Sequence, residues 1–464
     1  MSDPRRIAKA GVVAAGIFRR LFQPGLIGNL GSNGFAQAVQ IVLQLLTVPL
    51  YSRFLGIERY GVWLLLTTVP AYLAFSDFGL TTASAADMTA RLARGDFAGA
   101  AQTYRAMRRR LMIAGLGVGA VVGGVAALPG TLDFAAEACG GRPGVALGAI
   151  VLYGLGVLHC TGTFAAFRAA GGYAGAVYRI QIIILAEALA ALAVAGAGGG
   201  LVSMAFAFAG VRTVGAVWLW RELRRHHRVF VAPPAGTVDR GPGALTGPAL
   251  AALALSLAAM MTLQGAVGMV GAFAGAIAVP AFAATRTMTR LPLQIALMAN
   301  LASLPAYAAS KARGDDERAA NHIVLTLAAL LFVLVPGAIV LAVAGPALLA
   351  MWTGGRIHAS NALLGWAIVA MLANGCWVGL SNFLLSLNRQ ADFSPAYLAL
   401  AVAGGGAAIW VLPVHGAAGA AFIVAMIDLA MVCLVLRQAV RHGIISMALI
   451  RSAPARCAAM VRMI

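Results

Sequence analysis

The chain has 464 residues, of which 61% are hydrophobic and 11% are charged, and its mean hydropathy is +0.88. Soluble domains contain roughly 45 to 50% apolar residues, so this composition excludes a water-soluble globular protein. The formal net charge of +19 comes almost entirely from arginine. Because no dense basic run is interleaved with aromatic residues, the charge does not predict a nucleic-acid partner.

Apolar runs recur along the chain, each of about 20 residues, the length that a helix needs to cross ~30 Å of hydrocarbon. Transmembrane β-strands would instead alternate apolar and polar residues over shorter segments. We therefore predict an all-α polytopic membrane protein with about 12 transmembrane helices. The spans are placed at residues 29–51, 60–83, 111–129, 145–167, 176–197, 201–220, 247–271, 280–307, 323–344, 361–386, 394–413 and 417–436.

A short internal repeat divides these spans into two halves. Ala-Arg-Gly-Asp at residues 93–96 recurs at 312–315, and at the same offset of 219 residues Phe54-Leu55-Gly56 becomes Phe273-Ala274-Gly275. An even number of spans per half gives a parallel repeat, so we expect two six-helix lobes. The predicted parts are a cytoplasmic N-terminal segment (1–28), an N-lobe (29–221), a cytoplasmic linker (222–246), a C-lobe (247–436) and a basic cytoplasmic tail (437–464).

Positive residues are distributed asymmetrically among the connecting segments. With the N-terminus inside, the inner segments hold 27 Lys and Arg residues when Arg179 at the inner end of span five is included, whereas the outer loops hold only Arg53, Arg59, Arg142 and Arg356. Positively charged flanks are retained on the cytoplasmic side of a membrane. We therefore predict a multi-pass membrane protein with both termini in the cytoplasm; the resemblance described below implies that the membrane is the bacterial inner (plasma) membrane.

The sequence carries no catalytic or metal-binding pattern. It has no nucleophile elbow, no HExxH and no Walker motif, and its five cysteines are scattered without CxxC or Cys/His spacing. We therefore expect neither an enzyme nor a bound cofactor or metal.

Charged residues at membrane depth are the candidate functional groups, since each costs about 2.5 to 3.5 kcal/mol at a helix centre unless it is paired or hydrated. Counted from the span ends at about 1.5 Å per residue, four of them lie ~15 Å deep, and Arg286 lies ~9 Å from the outer face. The four are Glu187, Arg212, Arg290 and Asp428. Arg286, Arg290 and Gln294 form a row on one face of span eight, and guanidinium groups suit phosphate oxygens.

These charges could also cancel one another within the protein. Glu187 and Arg212 lie on consecutive spans and are expected to pair, because consecutive helices often pack together and buried charges seek partners. Asp428 is the candidate partner of Arg290 or Arg286. Because one acid cannot neutralise two arginines, we expect the span-eight pair to bind an anionic group.

Span one carries a stripe of polar side chains, spaced three and four residues apart: Asn33, Gln37, Gln40, Gln44 and Thr47. Such a stripe either joins helices or lines a water-filled path. Because joining two helices needs few polar groups, the path is the favoured interpretation.

The inner end of span two contains Ser76-Asp77-Phe78-Gly79-Leu80, with Pro70 earlier in the same helix. Asp77 either caps a broken helix or binds an ion or substrate. Capping is the favoured role, and Asp77 also stays among the candidate substrate contacts.

Together with Gly-Ile-Glu-Arg-Tyr-Gly-Val-Trp at residues 56–63, this segment resembles the opening of the polysaccharide exporters. These are O-antigen-type flippases of the multidrug/oligosaccharidyl-lipid/polysaccharide (MOP) superfamily. The resemblance is clear in spans one and two and in the Ala-Arg-Gly-Asp loop. It is weaker over spans seven and eight, which contain Leu304-Pro305-Ala306-Tyr307, and in the rest of the chain only the amino-acid composition is similar. It implies a V-shaped pair of lobes around a cationic cavity that alternates between inward- and outward-open states.

Such proteins move undecaprenyl-pyrophosphate-linked sugar repeat units across the inner membrane. The resemblance gives no residue motif for this substrate, so residue roles follow from placement in the spans. By placement, the span-eight arginines are expected to hold the diphosphate and the span-one amides to meet sugar hydroxyls, while the lipid tail stays in the bilayer through a gap between the lobes. Glu187, Arg212, Asp428 and Asp77 complete the candidate substrate-binding set. The expected partners are the lipid-linked oligosaccharide, membrane lipid, and polymerase or chain-length machinery.

Three other functions remain as alternatives. A multidrug cation antiporter predicts an acidic, aromatic-lined cavity, whereas this one is expected to be net basic with few aromatics at depth. A membrane-embedded glycosyltransferase or ligase needs carboxylates or a large outer loop to grip an acceptor, and the longest outer loop, about residues 130–144, is short. The flippase of the cell-wall precursor is commonly built with two further helices.

Overall fold

A computed structural model of the chain describes residues 24–74, 77, 79–230, 247–387 and 389–445. Every regular element in these ranges is a helix. The α-helices are α1 (Pro24–Leu55), α2 (Ile57–Leu66), α3 (Val69–Ala74), α4 (Leu80–Ala93), α5 (Phe97–Ala126), α6 (Asp133–Ala136), α7 (Pro143–Ala169), α8 (Tyr173–Gly196), α9 (Leu201–His226), α10 (Gly247–Met260), α11 (Ala266–Ala274), α12 (Ala278–Ala312), α13 (Asp316–Thr353), α14 (Asn361–Ser386) and α15 (Ser394–Arg441). The all-α fold class is therefore confirmed.

Nine helices in the described ranges are long and apolar enough to cross a membrane. In this count, α10 and α11 together are one helix, which corresponds to span seven, and α15 is one helix although it contains spans eleven and twelve. Span two and α12, which corresponds to span eight, are not counted. Most of the predicted N-terminal segment, linker and tail lies outside the described residues. Helix α9 continues past residue 221 to His226, and α15 continues past residue 436 to Arg441.

Span two is broken rather than continuous, so the prediction of one helix over residues 60–83 is wrong. It consists of α2, α3 and the start of α4. Pro70 has no N–H to continue the hydrogen-bond ladder. The Thr67 hydroxyl donates to the carbonyl of Trp63, and the Thr68 hydroxyl donates to the carbonyl of Leu65, so carbonyls at the break keep partners.

Spans eleven and twelve together make up α15 and are two helices that meet at a kink at Gly416. This residue has φ 55° and ψ −138°, backbone angles that glycine adopts much more readily than other residues. Pro413 lies three residues earlier and also interrupts the helical ladder. The bend falls between the two predicted spans.

The predicted internal repeat is visible in the backbone angles of equivalent loops. Gly56 has φ 77° and ψ 168°, and Gly275 has φ 80° and ψ 164°. Asp96 has φ −81° and ψ 73°, and Asp315 has φ −86° and ψ 77°. Loops at the two ends of the helices thus keep the same geometry in both halves.

The two repeated aspartates also have the same capping role at the start of a helix. Asp96 accepts a hydrogen bond from the Gly99 N–H at 2.8 Å, and Asp315 accepts one from the Arg318 N–H at 3.1 Å. Both are N-caps, which satisfy donors that a helix leaves free. The Gly99 N–H and the Arg91 guanidinium lower the pKa of the Asp96 carboxyl.

A second loop motif is repeated in the two halves at a different offset. Gly140-Gly141-Arg142 recurs as Gly354-Gly355-Arg356, and the paired glycines have φ values of 59° and 75° in the first loop and 62° and 73° in the second. Its offset is 214 residues rather than 219, so a search at one fixed offset misses it. Both loops lie on the side that the charge asymmetry assigns to the outside.

The helices pack in two groups that correspond to the predicted lobes. In the N-lobe, α7 packs against α5, α8 and α9; in the C-lobe, α14 packs against α12, α13 and α15. Contacts between the lobes involve α2 with α11 and α12, and α1 with α12 and α13.

The lobes touch each other near their predicted outer ends, at two places that we together call the outer seam. The Trp352 indole Nε1 donates to the carbonyl oxygen of Leu45 at 2.8 Å. Gly61 lies so close to the Ala276 carbonyl that a Cβ would overlap it.

Candidate functional site

A cavity of about 270 Å³ lies within the C-lobe, between span seven, α12, α14 and α15. Its polar lining is Thr262, Thr285, Arg286, Thr289, Arg290, Gln294, Asn374 and Asp428. The structure therefore brings four predicted site residues to one cavity: Arg286, Arg290, Gln294 and Asp428. We call this space the C-lobe cavity.

Arg286 is held at the cavity wall by span seven. A π-helical turn at Met261–Gly265 separates α10 from α11, and such turns are frequent at functional sites because they disturb the regular hydrogen-bond ladder. Nη1 of Arg286 donates to the carbonyl of Leu263 within this turn. The guanidinium carbon also lies 5.7 Å from the centre of the Phe282 ring, within cation–π range.

Arg290 lies one turn further along α12 and is half-buried in the same cavity. It makes no hydrogen bond or ion pair with any residue in the described ranges. Oε1 of Gln294 is buried, and it too has no hydrogen-bond partner among the described residues. Because an unsatisfied buried polar group costs about 1 to 3 kcal/mol, these side chains mark where a polar ligand or water can bind.

Asp428 is 2% exposed and is satisfied by neutral donors from α14. Its Oδ1 accepts hydrogen bonds from Asn374 Nδ2 at 2.9 Å and from Trp377 Nε1 at 2.7 Å. No ion pair joins it to Arg286 or Arg290, all three of which are described, so the alternative in which they cancel by pairing is wrong. The formal charges leave the C-lobe cavity net positive.

Aromatic side chains also line the C-lobe cavity, contrary to the expectation of few aromatics at depth. They are Phe282, Trp377 and Tyr397. Each comes from a different helix, and Trp377 packs against Tyr397 with ring centres 5.0 Å apart. Composition along a single span does not reveal this convergence, because the rings meet only in the folded lobe.

The predicted pair of Glu187 and Arg212 is buried in the N-lobe, and a tyrosine hydroxyl forms hydrogen bonds with both residues. Arg212 Nη2 lies 2.5 Å from Glu187 Oε1, and their side chains are 5% and 4% exposed. The hydroxyl of Tyr153 donates to the same carboxylate oxygen at 3.0 Å, and it accepts from Arg212 at 3.2 Å. Gly156 makes room for the arginine, since a Cβ there would lie 2.7 Å from Arg212 Cγ. The pairing is confirmed, and neither residue lines the C-lobe cavity.

The polar stripe of span one has mixed surroundings. Asn33 is exposed and accepts a hydrogen bond from the Tyr173 hydroxyl of α8 at 2.9 Å, so it joins two helices. Oε1 of Gln44 is buried and has no hydrogen-bond partner in the described part of the chain. Gln40 is exposed, whereas Gln37 is half-buried. The role of the stripe as a path stays a prediction.

Asp77 has a local structural role. One carboxylate oxygen accepts from the Thr81 N–H at 2.8 Å, and the other accepts from the Thr81 hydroxyl at 2.6 Å. These bonds cap the start of α4, next to Gly79 with φ 73°. Asp77 is therefore positioned as a cap, which was the favoured sequence interpretation.

No protein-family model matches the sequence, and no curated protein matches it. Solved structures do match. An inward-facing multidrug resistance MATE family transporter of the MOP superfamily has 14% identity and a TM-score of 0.56, and the match covers 89% of this chain and 99% of that one. The lipid II flippase MurJ in an inward closed conformation has 10% identity and a TM-score of 0.65 over 87% of this chain and 86% of that one.

An outward-facing MATE family transporter matches as well, with 14% identity, a TM-score of 0.56, and coverage of 92% of this chain and 96% of that one. The chain has the fold of MOP superfamily transporters. This confirms two six-helix lobes and about twelve spans as the architecture. At 10 to 14% identity the likeness establishes the fold alone.

Within this MOP fold, sequence reasoning missed the neutral partners of the buried charges. Asn374 and Trp377 are three residues apart and share a face of α14, which places both against Asp428. An amide and an indole N–H on one face of an apolar span are the signal that could have found them. Tyr153 is a single phenol on α7, and only the folded N-lobe relates it to Glu187.

Proposed function

We propose that this chain is a flippase that moves undecaprenyl-pyrophosphate-linked oligosaccharide repeat units across the bacterial inner membrane for polysaccharide biosynthesis. The observation that carries the proposal is the net positive C-lobe cavity, in which Arg286 and Arg290 have no acidic partner. A buried positive charge of this kind favours an anionic ligand. A diphosphate supplies that charge and several acceptor oxygens.

The chemistry of the cavity walls matches the two polar parts of such a substrate. Arginine forks donate paired hydrogen bonds to phosphate oxygens, and Arg286 and Arg290 both line the cavity. The free acceptor of Gln294 suits a sugar hydroxyl. Asn33, Gln37, Gln40 and Gln44 of span one are the proposed sugar contacts on the N-lobe. Glu187 and Arg212 are proposed to act indirectly, by holding the N-lobe in shape.

The proposal requires transport without a covalent step, so the chain is proposed to be a carrier rather than an enzyme. The MOP fold supports this, because its two lobes can present a central site to either side of a membrane by rocking. Both termini are proposed to be cytoplasmic. Polymerase or chain-length machinery is the proposed downstream partner, since it consumes the flipped repeat unit.

Replacing the cavity arginines tests the proposal. Arg290→Gln and Arg286→Gln remove charge, and each is expected to lower the flipping of a fluorescent undecaprenyl-diphosphate-linked sugar in proteoliposomes by roughly tenfold or more, as for loss of a charged hydrogen bond. Lysine at either position keeps charge but loses the fork, so partial activity is expected. Arg290 is the sharper test because it makes no bond that holds the described part of the fold.

The matched control is Arg356→Gln, which removes an exposed outer-loop arginine. It is expected to flip the substrate at the wild-type rate. Reconstituted protein and its thermal unfolding are measured beside each rate. Full flipping by the Arg286→Gln/Arg290→Gln double variant, at normal protein level, would show that the cavity does not need these charges.

A multidrug cation antiporter is the second candidate, and the combination of Asp428 with Trp377 and Tyr397 favours it. Carboxylates and aromatic faces bind organic cations. If this function is correct, Asp428→Asn abolishes ethidium efflux while Arg290→Gln increases it. Under the flippase proposal, ethidium efflux is absent in every variant.

A further inference from the structure

We infer that an apolar groove beside the C-lobe cavity binds the first isoprene units of the lipid-linked substrate while the cavity arginines bind its diphosphate. This inference rests on the proposed function and adds a second subsite to it. The groove is formed by spans seven, eleven and twelve.

The groove has a volume of about 240 Å³, and its walls are almost entirely apolar. Span seven contributes Gly268, span eleven contributes Gly405, and span twelve contributes Ile423 and Ile427. Tyr72 of α3 in the N-lobe forms the remaining side. The groove therefore lies where span two of one lobe meets span seven of the other.

Two residues line both the groove and the C-lobe cavity, which makes the two spaces neighbours. They are Thr262 on span seven and Val424 on span twelve. Residues of the π-helical turn Met261–Gly265 line both spaces, and Arg286 donates to the Leu263 carbonyl of this same turn. A ligand whose anionic head sits at the arginines thus has an apolar channel immediately beside it.

The occupant follows from the charge and width of the combined site. A net positive cavity that adjoins an apolar groove fits an amphipathic anion with its charge at one end of a hydrocarbon chain. Glycines widen the groove: a Cβ at Gly405 would meet no atom within 4 Å, and one at Gly268 would meet only the Tyr72 hydroxyl, at 3.6 Å. That width accommodates the methyl branches of an isoprenoid, which a straight acyl chain does not have.

Filling the groove tests the inference. Gly405→Leu places a side chain in open space on the groove wall, and Gly268→Leu fills the opposite wall. The control is Gly406→Leu, the next residue of the same helix, which is exposed, does not line the groove and also has no atom within 4 Å of its Cβ. The dissociation constants of the purified full chain are measured for geranyl diphosphate, decyl diphosphate and inorganic pyrophosphate.

Wild type and Gly406→Leu are expected to bind geranyl diphosphate about tenfold more tightly than inorganic pyrophosphate. Gly405→Leu and Gly268→Leu are expected to lose this tenfold advantage and to keep the affinity for pyrophosphate. Decyl diphosphate, which has the same number of carbons in a saturated chain without branches, is expected to bind more weakly than geranyl diphosphate.

Failure of the groove and failure of the proposed function are distinguishable. If pyrophosphate binds and Arg290→Gln weakens it, but both leucine variants bind geranyl diphosphate as wild type does, the groove inference is overturned alone. Equal affinity for decyl and geranyl diphosphate overturns the isoprenoid as occupant in favour of an ordinary acyl chain. If no diphosphate binds in an Arg290-dependent way, the proposed function fails with it.

Discussion

The buried charges of this protein are accommodated in two different ways. In the N-lobe, Glu187 and Arg212 neutralise each other at 2.5 Å. In the C-lobe, Asp428 takes neutral N–H donors, and Arg290 has no partner in the described part of the chain. The first arrangement holds helices together, whereas the second leaves charge available to a ligand.

Exchanging the charges of Glu187 and Arg212 separates pairing from other roles. Glu187→Gln or Arg212→Gln is expected to destabilise the protein by about 3 to 5 kcal/mol, because each leaves an unpaired buried charge. The double exchange Glu187→Arg/Arg212→Glu should regain part of this loss, limited by the space that Gly156 gives only to position 212. Thermal unfolding in detergent is the measurement.

The control pair is Arg179 and Glu222, which joins the same two helices at 3.3 Å but is 27% and 12% exposed. Its single variants are expected to cost no more than about 1 kcal/mol, as a partly exposed pair does. If the exchanged Glu187–Arg212 protein is no more stable than its worse single variant, pairing is not what these residues contribute.

Sequence reasoning found the partner of one buried acid and not of the other, for a physical reason. Glu187 and Arg212 are on consecutive helices and carry opposite charge, so adjacency and electrostatics give the same answer. Asp428 had two arginines within reach by depth, yet its bonds go to Asn374 and Trp377 on α14. The sequence gives the depth of a residue along its helix but not the direction in which that helix face points in the fold. That direction decides which neighbouring helix a side chain meets.

At the scale of elements, the outer seam is explained by a proline. Pro49 in α1 has no N–H, so the carbonyl of Leu45 four residues earlier lacks its usual helical donor. The Trp352 indole of the C-lobe supplies a donor to that carbonyl. A helix defect in one lobe thereby becomes a contact with the other.

Gly61→Val is expected to open the outer seam, because its side chain would overlap the Ala276 carbonyl. Overpacking costs about 1 to 3 kcal/mol, so the population with closed outer ends should fall by roughly tenfold or more. Distances between spin labels on Glu58 and Ile277, both exposed, report the change. Gly117→Val, on an exposed helix face with no atom within 4 Å of its Cβ, is the control. An unaltered distance distribution in Gly61→Val would show that this contact does not hold the lobes together.

Helix positions were predictable because apolar runs of membrane length are strong signals, and irregularities within spans were not. The π-helical turn at Met261–Gly265 has no marker in its residues, and the break in span two was hidden by the apolar run that contains Pro70. The Gly354-Gly355-Arg356 loop escaped because the second half is shorter there than the first. A few residues gained or lost between two repeated loops change their spacing along the chain but leave the backbone angles of the loops the same.

Across the whole molecule, the repeated lobes share loop geometry but have different interiors. Gly56 and Gly275 adopt nearly the same angles, while the closed charge pair is in the N-lobe and the positive cavity in the C-lobe. The span-one stripe has also been largely lost at the equivalent positions of span seven. A symmetric scaffold thus carries an asymmetric site.

The topology is expected to place both termini inside, because 27 positive residues lie in the inner segments and four in the outer loops. Fusions of alkaline phosphatase and green fluorescent protein to the loop at residues 198–200 and to the C-terminus check it. Phosphatase should be active in the loop, and fluorescence should appear at the C-terminus. The opposite pattern at either site would require a different number of spans.

Arg286 and Arg290 are proposed to recognise a diphosphate, so two lipids that differ only in that group should bind differently. The dissociation constants of purified protein in nanodiscs are measured for undecaprenyl diphosphate and undecaprenol. Because a hydrogen bond to a charged group contributes about 1.5 to 3 kcal/mol, wild type should prefer the diphosphate by roughly 10- to 100-fold, and the Arg286→Gln/Arg290→Gln variant should lose most of that preference. Equal affinity of wild type for the two lipids, or an unchanged preference in the double variant, would show that these arginines do not recognise a diphosphate.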